Sequence, residues 1–233
     1  MHTNTAQKIL EKNKNAYEKI SQNFSDSRQT LWSGMDTFLQ YVSDGDSVLD
    51  AGCGNGRIVQ LFDTKKIEYI GCDNNEKLLD LARSRHPEKK FVQGDLLNLP
   101  FGNEKFDVVF CIAALHHIPS EDYRKKAMKE FHRVLKDDGF FIMTNWNRYT
   151  RQFVKPIFKY TILKLLGKSE LDFKDIYLPW ANSGEFRYYH CFTLGEIKRL
   201  IQKTGFCLEK TYSEKQIWSK KKSTNFVTIC KKC

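Results

Sequence analysis

"SVLDAGCGNG", residues 47–56, decides the fold. An apolar strand, broken only by Asp50, runs straight into glycines at 52, 54 and 56. Glycines placed between a strand and a helix let the backbone turn tightly and approach a ligand closely. The spacing predicts a helix from Gly56 to about Lys65. Further along the chain the rhythm repeats. "YIGCD" (69–73) reads as a second strand, Asn75 to Arg85 as a helix stopped by Pro87, "FVQGD" (91–95) as a third strand and "FDVVFCI" (106–112) as a fourth. Ser120 suits the N-cap of a helix to about Leu135, with Glu121 and Asp122 in its first turn. Asp138-Gly139 turns into a fifth strand, "FFIMTNW" (140–146). Strands alternating with helices at this spacing mean βαβ units and a buried parallel sheet.

After Trp146 the rhythm breaks. Residues 150–168 read as a basic helix that Pro156 kinks or delays, and residues 169–192 as irregular. Thr193 caps a helix to Thr204, Gly205 ends it, and strands at about 206–214 and 225–232 follow. The expected fold is therefore α/β: a doubly wound, mostly parallel, seven-stranded Rossmann-like sheet with an antiparallel C-terminal hairpin and a helical or irregular cap. Residues 1–233 are expected to form one domain, comprising a helical entry (1–35), a core (40–146), a cap insertion (147–192) and the C-terminal helix and hairpin (193–233). Entry and cap are placed to cover the carboxyl ends of the strands, where ligands bind in such sheets.

The chain's 233 residues are 41% hydrophobic and 28% charged, which suits a soluble globular protein with a sizeable core. The sequence has neither a run of 18 apolar residues nor a signal-peptide pattern, so no membrane partner is expected and the cytoplasm, or the nucleus, is the expected compartment. Most of the seven cysteines, Cys53, Cys72, Cys111 and Cys230 among them, sit in apolar strand-like runs, the pattern of reduced core thiols rather than a disulfide framework. The terminal "CKKC" has the spacing of half a zinc site with no second pair, so no metal is expected. The net charge of +10 suits a polyanionic partner, although 28 lysines against 10 arginines also fit a lysine-rich source.

The strand ends carry the first chemistry. Asp50 precedes the glycines, where a carboxylate would spoil a phosphate site and suits a ligand bearing an ammonium group. Asp73 can accept both hydroxyls of a ribose. Asp95 can accept from an adenine amino group, with Leu96 against the base. A dinucleotide site would want G-x-G-x-x-G, and its third position is Val59 here. These residues, with "GDLLNLPF", "FDVVFCIAALHHI" and "RVLKDDG", resemble the class I S-adenosylmethionine-dependent methyltransferases across roughly residues 40–145. The resemblance implies S-adenosylmethionine as cofactor, held by Asp50, Gly52, Gly54, Asp73, Asn74, Asp95, Leu96 and Ala113.

"LHHIPS" (115–120) follows the fourth strand, where substrate lies in this fold; His117 also reads as structural, bonded to a backbone group. Two segments outside the core choose the acceptor. "YEKISQNFSDSRQTLW" (17–32) and "DIYLPWANSGEFRYYHCFTLGEI" (175–197) together resemble the eukaryotic wobble-uridine tRNA carboxymethyl methyltransferases, including the domain fused to AlkB-like oxygenases. The matching positions are Tyr17, Ile20, Phe24, Ser25, Arg28 and Trp32, then Arg187, Tyr188, Tyr189, His190 and Phe192. The resemblance implies methyl-ester formation on the carboxymethyl group of the wobble uridine, a tRNA anticodon stem-loop as substrate, and a small zinc-ribbon activator subunit as partner. Arg28, His116, Arg187, Tyr188 and His190 are the expected catalytic residues: Arg28 and His116 for the carboxylate, and Arg187 with the rings for a pocket that stacks on the bases of the anticodon loop. Lys155, Lys159, Lys164 and Lys168, with Lys220, Lys221 and Lys222, would follow the RNA backbone. A small-molecule methyltransferase and a non-catalytic cofactor-binding subunit are the alternatives, since the core motifs are common to all three.

Overall fold

The computed structural model describes residues 1–180, 183–218 and 221–233, without the side chains of 215–224. The apolar run before the glycines forms strand β1 (Ser47–Ala51), buried from Val48 onward. β2 (Glu68–Asp73), β3 (Lys90–Gln93), β4 (Phe106–Ile112) and β5 (Leu135–Trp146) join it in parallel. A two-stranded antiparallel sheet, β6 (Asp175–Pro179) with β7 (Phe186–His190), stands apart. β8 (Phe206–Trp218) and β9 (Lys221–Lys232) close the main sheet by antiparallel pairing of β9 with both β5 and β8. The resulting order, β3-β2-β1-β4-β5-β9-β8, reverses direction between β1 and β4. In an open α/β sheet the crevice at that switch point is where ligands bind.

β4 shows why the sheet is covered on both faces. Val109 and Cys111 pack into one core with Ala127, Met128 and Phe131 of helix α3 (Glu121–Val134). Val108, Phe110 and Ile112 pack into the other, with Leu79 and Ala82 of helix α2 (Glu76–Arg85) and with Met35 and Phe38. Period-two alternation in a strand apolar on both sides demands two covering layers. The caps agree with the sequence: Asn75 accepts from Leu78 N–H and Ser120 from Tyr123 N–H. Thr193 likewise accepts from Glu196 N–H, opening the last α-helix, Leu194–Gln202.

Four expectations change. The segment after Gly56 is a 3-10 helix, Arg57–Phe62, rather than an α-helix to Lys65. It has six residues, two of them the β-branched Ile58 and Val59, which disfavour the α form. Residues 169–192 are not irregular but contain β6 and β7. Cys207 and Cys233 are disulfide-bonded, while Cys53, Cys72, Cys111, Cys191 and Cys230 are buried free thiols. Third-strand pairing ends at Gln93, leaving Asp95 in a separate bridge with Asn98.

The N-terminal helix α1 (Thr3–Asp26) buries Ile9, Asn13, Ala16 and Ile20 and lies against α2 and β7. Helix α4 (Arg151–Leu165) follows β5 with Pro156 inside it. Its buried side is Phe153 and Ile157, while Val154, Phe158 and Leu165 stand in solvent, Phe158 66% exposed. It is therefore apolar as well as basic on its outer surface. Lys155 and Lys159 are exposed there, and Lys164 lies 4.0 Å from Asp172. Lys220 and the side chains of Lys221 and Lys222 lie outside the described residues. No helix among the described residues is long and apolar enough to cross a membrane, and no metal-binding cluster occurs among them.

Candidate active site

A cavity of about 450 Å³ lies at the switch point, floored by the ends of β1, β2 and β4 and roofed by α1 and β7. All eight residues expected to hold the cofactor line it. Gly52 has φ +81°, and a side chain there would run into the Ala114 Cβ. Only glycine leaves that wall open. Asp73 clamps the glycine loop: its Oδ2 accepts the Gly54 N–H and its Oδ1 the Asn75 N–H, each at 2.9 Å. Asp95 accepts the Leu97 N–H at 2.9 Å, which fixes its carboxylate at the rim. Ala113 sits at φ +55°, held there by bonds from its N–H to the Thr144 carbonyl and hydroxyl. A non-glycine residue in that conformation stores strain that the surroundings must enforce, as is common beside ligands.

Asp50 is 1% exposed and accepts a hydrogen bond from Tyr69 Oη at 2.9 Å. Burial pushes its carboxyl up to about 7, more strongly than the Tyr69 hydrogen bond opposes it, and the nearby Asp73 adds to the rise. A buried carboxylate facing a cavity in this state is a site for a cation. With the Gly52 wall and the Asp73 clamp, it fits a ligand carrying an ammonium group at one end and a ribose beyond it.

The other end of the cavity is built by β7, α1 and the segment after β4. As a strand, β7 sends alternate side chains to opposite sides. Arg187 and Tyr189 line the cavity. Tyr188 and His190 do not: Tyr188 packs with Ile9 and Leu171, and His190 bridges Asp175 Oδ1 at 2.6 Å and Glu196 Oε1 at 2.7 Å. These two expected catalytic residues therefore serve packing and an internal charge network. The partly buried Glu196 is held down to about 2, because hydrogen bonds from His190 and Lys174 outweigh its desolvation.

Arg187 is 7% exposed and faces three rings, with its guanidinium 4.4 Å from the Trp180 centroid, 5.0 Å from Tyr189 and 5.4 Å from Tyr17. It makes no ion pair with an acid among the described residues, and its Nε is buried without a partner. Arg28 approaches the same Trp180 ring at 5.5 Å, and burial and the Arg187 charge both depress its guanidinium. His116 is buried beside them, its Nδ1 also without a partner, and desolvation holds it well below its ordinary value, so it is a neutral imidazole. Two guanidiniums brought together in an aromatic box form a receptor for an anion.

His117 is structural in the sense expected, its Nδ1 lying 3.0 Å from the Tyr188 carbonyl. The sequence reasoning assigned no role at the site to Trp146 or Trp180. Trp146 stacks on Tyr189 at 3.8 Å and on Phe153 at 4.6 Å, forming a three-ring wall. Its position at the end of β5, the strand edge facing the crevice, is the signal that could have found it.

Residues 49–143 match the family described as "Methyltransferase domain". A protein of Encephalitozoon cuniculi named as a methyltransferase is 34% identical over 195 residues, covering 82% of this chain and 84% of its own. The tRNA (carboxymethyluridine(34)-5-O)-methyltransferase of Arabidopsis thaliana is 37% identical over 56% of this chain, which spans 31% of that relative's length. The protein of the same name from Schizosaccharomyces pombe is 28% identical, over 87% of this chain and 92% of its own. Among solved structures, an S-adenosylmethionine-dependent methyltransferase of Methanosarcina mazei superposes with a TM-score of 0.75 at 21% identity, over 87% and 98% of the two chains. A complex between a Haloferax volcanii methyltransferase activator and its methyltransferase gives 0.65 at 17% identity, over 94% and 96%. These last two likenesses show the fold.

Proposed function

We infer the function from one premise: this chain belongs to the class I S-adenosylmethionine-dependent methyltransferases, in the family of the tRNA carboxymethyluridine methyltransferases. We propose that it methylates the carboxymethyl group of the wobble uridine in a tRNA anticodon, giving the methyl ester. The observation that carries this reading is Arg187, a guanidinium buried among rings and without a carboxylate partner among the described residues, in the cavity that also holds Asp50.

The residues present fit the cofactor. Asp50 would take its ammonium group, Asp73 the ribose hydroxyls, and Asp95 with Leu96 the adenine, while Asn74 and Ala113 complete the wall. When bound, S-adenosylmethionine supplies an electrophilic methyl group on a sulfonium. At the other end, Arg28 and Arg187 would bind the acceptor carboxylate. A carboxylate is ionised at neutral pH, so the site needs no general base. His116, kept neutral by burial, fits that need: it can direct the acceptor by a hydrogen bond without removing a proton. The chain's work is then to orient the acceptor and to exclude water with the Phe153–Trp146–Tyr189 wall. Those rings can also stack on the uracil or a neighbouring base.

A tRNA anticodon stem-loop entering at the cavity mouth would meet Lys155 and Lys159, since Gln152 and Phe153 of the same helix line the cavity. The zinc-ribbon activator belongs to the same reading. The chain purified alone is expected to be weakly active or poorly soluble, and robust activity without a partner would count against that subunit. The acceptor is tested by methyl transfer from labelled cofactor to two anticodon stem-loops, one with carboxymethyluridine and one with uridine at the wobble position. Transfer to the first alone is expected. Transfer to neither, with cofactor binding intact, would favour a small-molecule carboxylic acid.

A further inference from the structure

Tyr17 joins helix α1 to the acceptor end through two hydrogen bonds whose directions are fixed. The Tyr188 carbonyl can only accept, so His117 Nδ1, 3.0 Å away, carries the imidazole proton and Nε2 holds the lone pair. Burial keeps this imidazole neutral. The Tyr17 hydroxyl, 2.9 Å from Nε2, therefore donates to it. That leaves the phenol oxygen's lone pairs for Arg187, whose Nη1–H donates to it across 3.0 Å.

The Tyr17 ring is itself immobilised, edge-on to Phe24 at 5.3 Å and to His117 at 5.2 Å. Arg187 depends on it in a specific way. Trp180 and Tyr189 lie against the guanidinium and restrict its plane, but ring faces leave rotation within that plane almost free. Among the described residues, Tyr17 Oη is the one hydrogen-bond acceptor that Arg187 has, so it alone sets which N–H groups turn toward the cavity. With Nη1 committed to Tyr17 and Nε buried, Nη2 is the group left for a ligand.

We propose that Tyr17 is a positioning residue for the acceptor: by holding Arg187 Nη1 it aims the guanidinium's remaining N–H groups at the substrate carboxylate. Helix α1 is then part of the acceptor site as well as its cover. The proposal rests on the reading of the acceptor as a carboxymethyl-bearing nucleotide.

The test measures equilibrium binding of fluorescent anticodon stem-loops to the full chain saturated with S-adenosylhomocysteine, so that no turnover intervenes. The quantity read is the preference for carboxymethyluridine over uridine at the wobble position. Tyr17→Phe is expected to lower that preference about tenfold, the scale of one charge-assisted hydrogen bond. The double variant Tyr17→Phe, Arg187→Gln should show no less preference than Arg187→Gln alone, because one residue acts through the other. Arg187→Lys takes the place of Arg187→Gln if the latter fails to fold. Full preference retained in Tyr17→Phe, or effects that add in the double variant, would overturn the proposal while leaving the acceptor reading intact. A wild-type protein with no preference would overturn the acceptor reading and this proposal with it.

Discussion

Replacing Asp50 by asparagine should stabilise the ligand-free protein above neutral pH and remove its cofactor affinity. Burial raises the Asp50 carboxyl from 3.8 to about 7. An acid whose folded-state value is raised costs nothing below its unfolded value, where both states are protonated. The cost grows as pH rises from about 4 and is complete above about 7. Three pH units at about 1.36 kcal/mol each set a ceiling of about 4 kcal/mol, which water entering the cavity would reduce. Asparagine keeps the shape, carries no charge and still accepts the Tyr69 hydroxyl. Thermal unfolding of the apo variant at pH 8 should therefore lie several degrees above wild type, at roughly 2–4 °C per kcal/mol for a chain of this size, and the two should converge near pH 4. Cofactor affinity of the wild type should rise about tenfold between pH 6 and 8, as the ionised fraction of Asp50 rises from about a tenth to about nine-tenths. The asparagine variant should bind weakly with no such slope. An Asp50→Asn protein that melts at or below the wild-type temperature at pH 8, or that keeps the slope, would refute the reasoning.

Three further outcomes follow from the same geometry. Gly52→Ala should abolish cofactor binding in calorimetry and cost about 1–3 kcal/mol in urea unfolding, because the new side chain meets Ala114 and the backbone is left-handed there. Tyr188→Phe should leave methyl transfer within about twofold of wild type, since its ring packs with Ile9 and Leu171 outside the cavity. Glu196→Gln should lower stability by about 1–3 kcal/mol at pH 7. Its carboxyl is depressed to about 2, so the wild-type advantage is present above about pH 4.5 and should fade as unfolding is measured at pH values falling toward 2.

The Asp50 end of the cavity was legible in the sequence because each of its parts is local. Asp50, Asp73 and the glycines sit at strand ends whose apolar runs are unmistakable, and the topology brings strand ends together. The Arg187 end was only half legible. "FRYYH" is a strand, yet five residues that are aromatic or ionisable offer no polar–apolar alternation, so its period of two was hidden. Reading it as irregular grouped Arg187 with Tyr188 and His190, whereas the pleat separates them. Tyr17 reaches Arg187 only through tertiary packing, which no spacing along the chain announces, and Trp180 reaches it across the β6–β7 hairpin, which the reading of 169–192 as irregular hid. The Cys207–Cys233 bond was missed for a similar reason: β8 and β9 bring residues 26 apart in sequence side by side at the sheet edge.

The chemical identity of the product separates a carboxylate acceptor from every other. tRNA carrying wobble carboxymethyluridine should be incubated with S-adenosylmethionine and this protein, with and without a zinc-ribbon activator, and its nucleosides read by mass spectrometry. A wobble nucleoside heavier by one methyl group, and returned to its starting mass by mild base, is the predicted result, because only an ester is cleaved so readily. A methyl group that survives base, or one found elsewhere in the tRNA, would contradict the assignment of the Arg187 end of the cavity to a carboxylate.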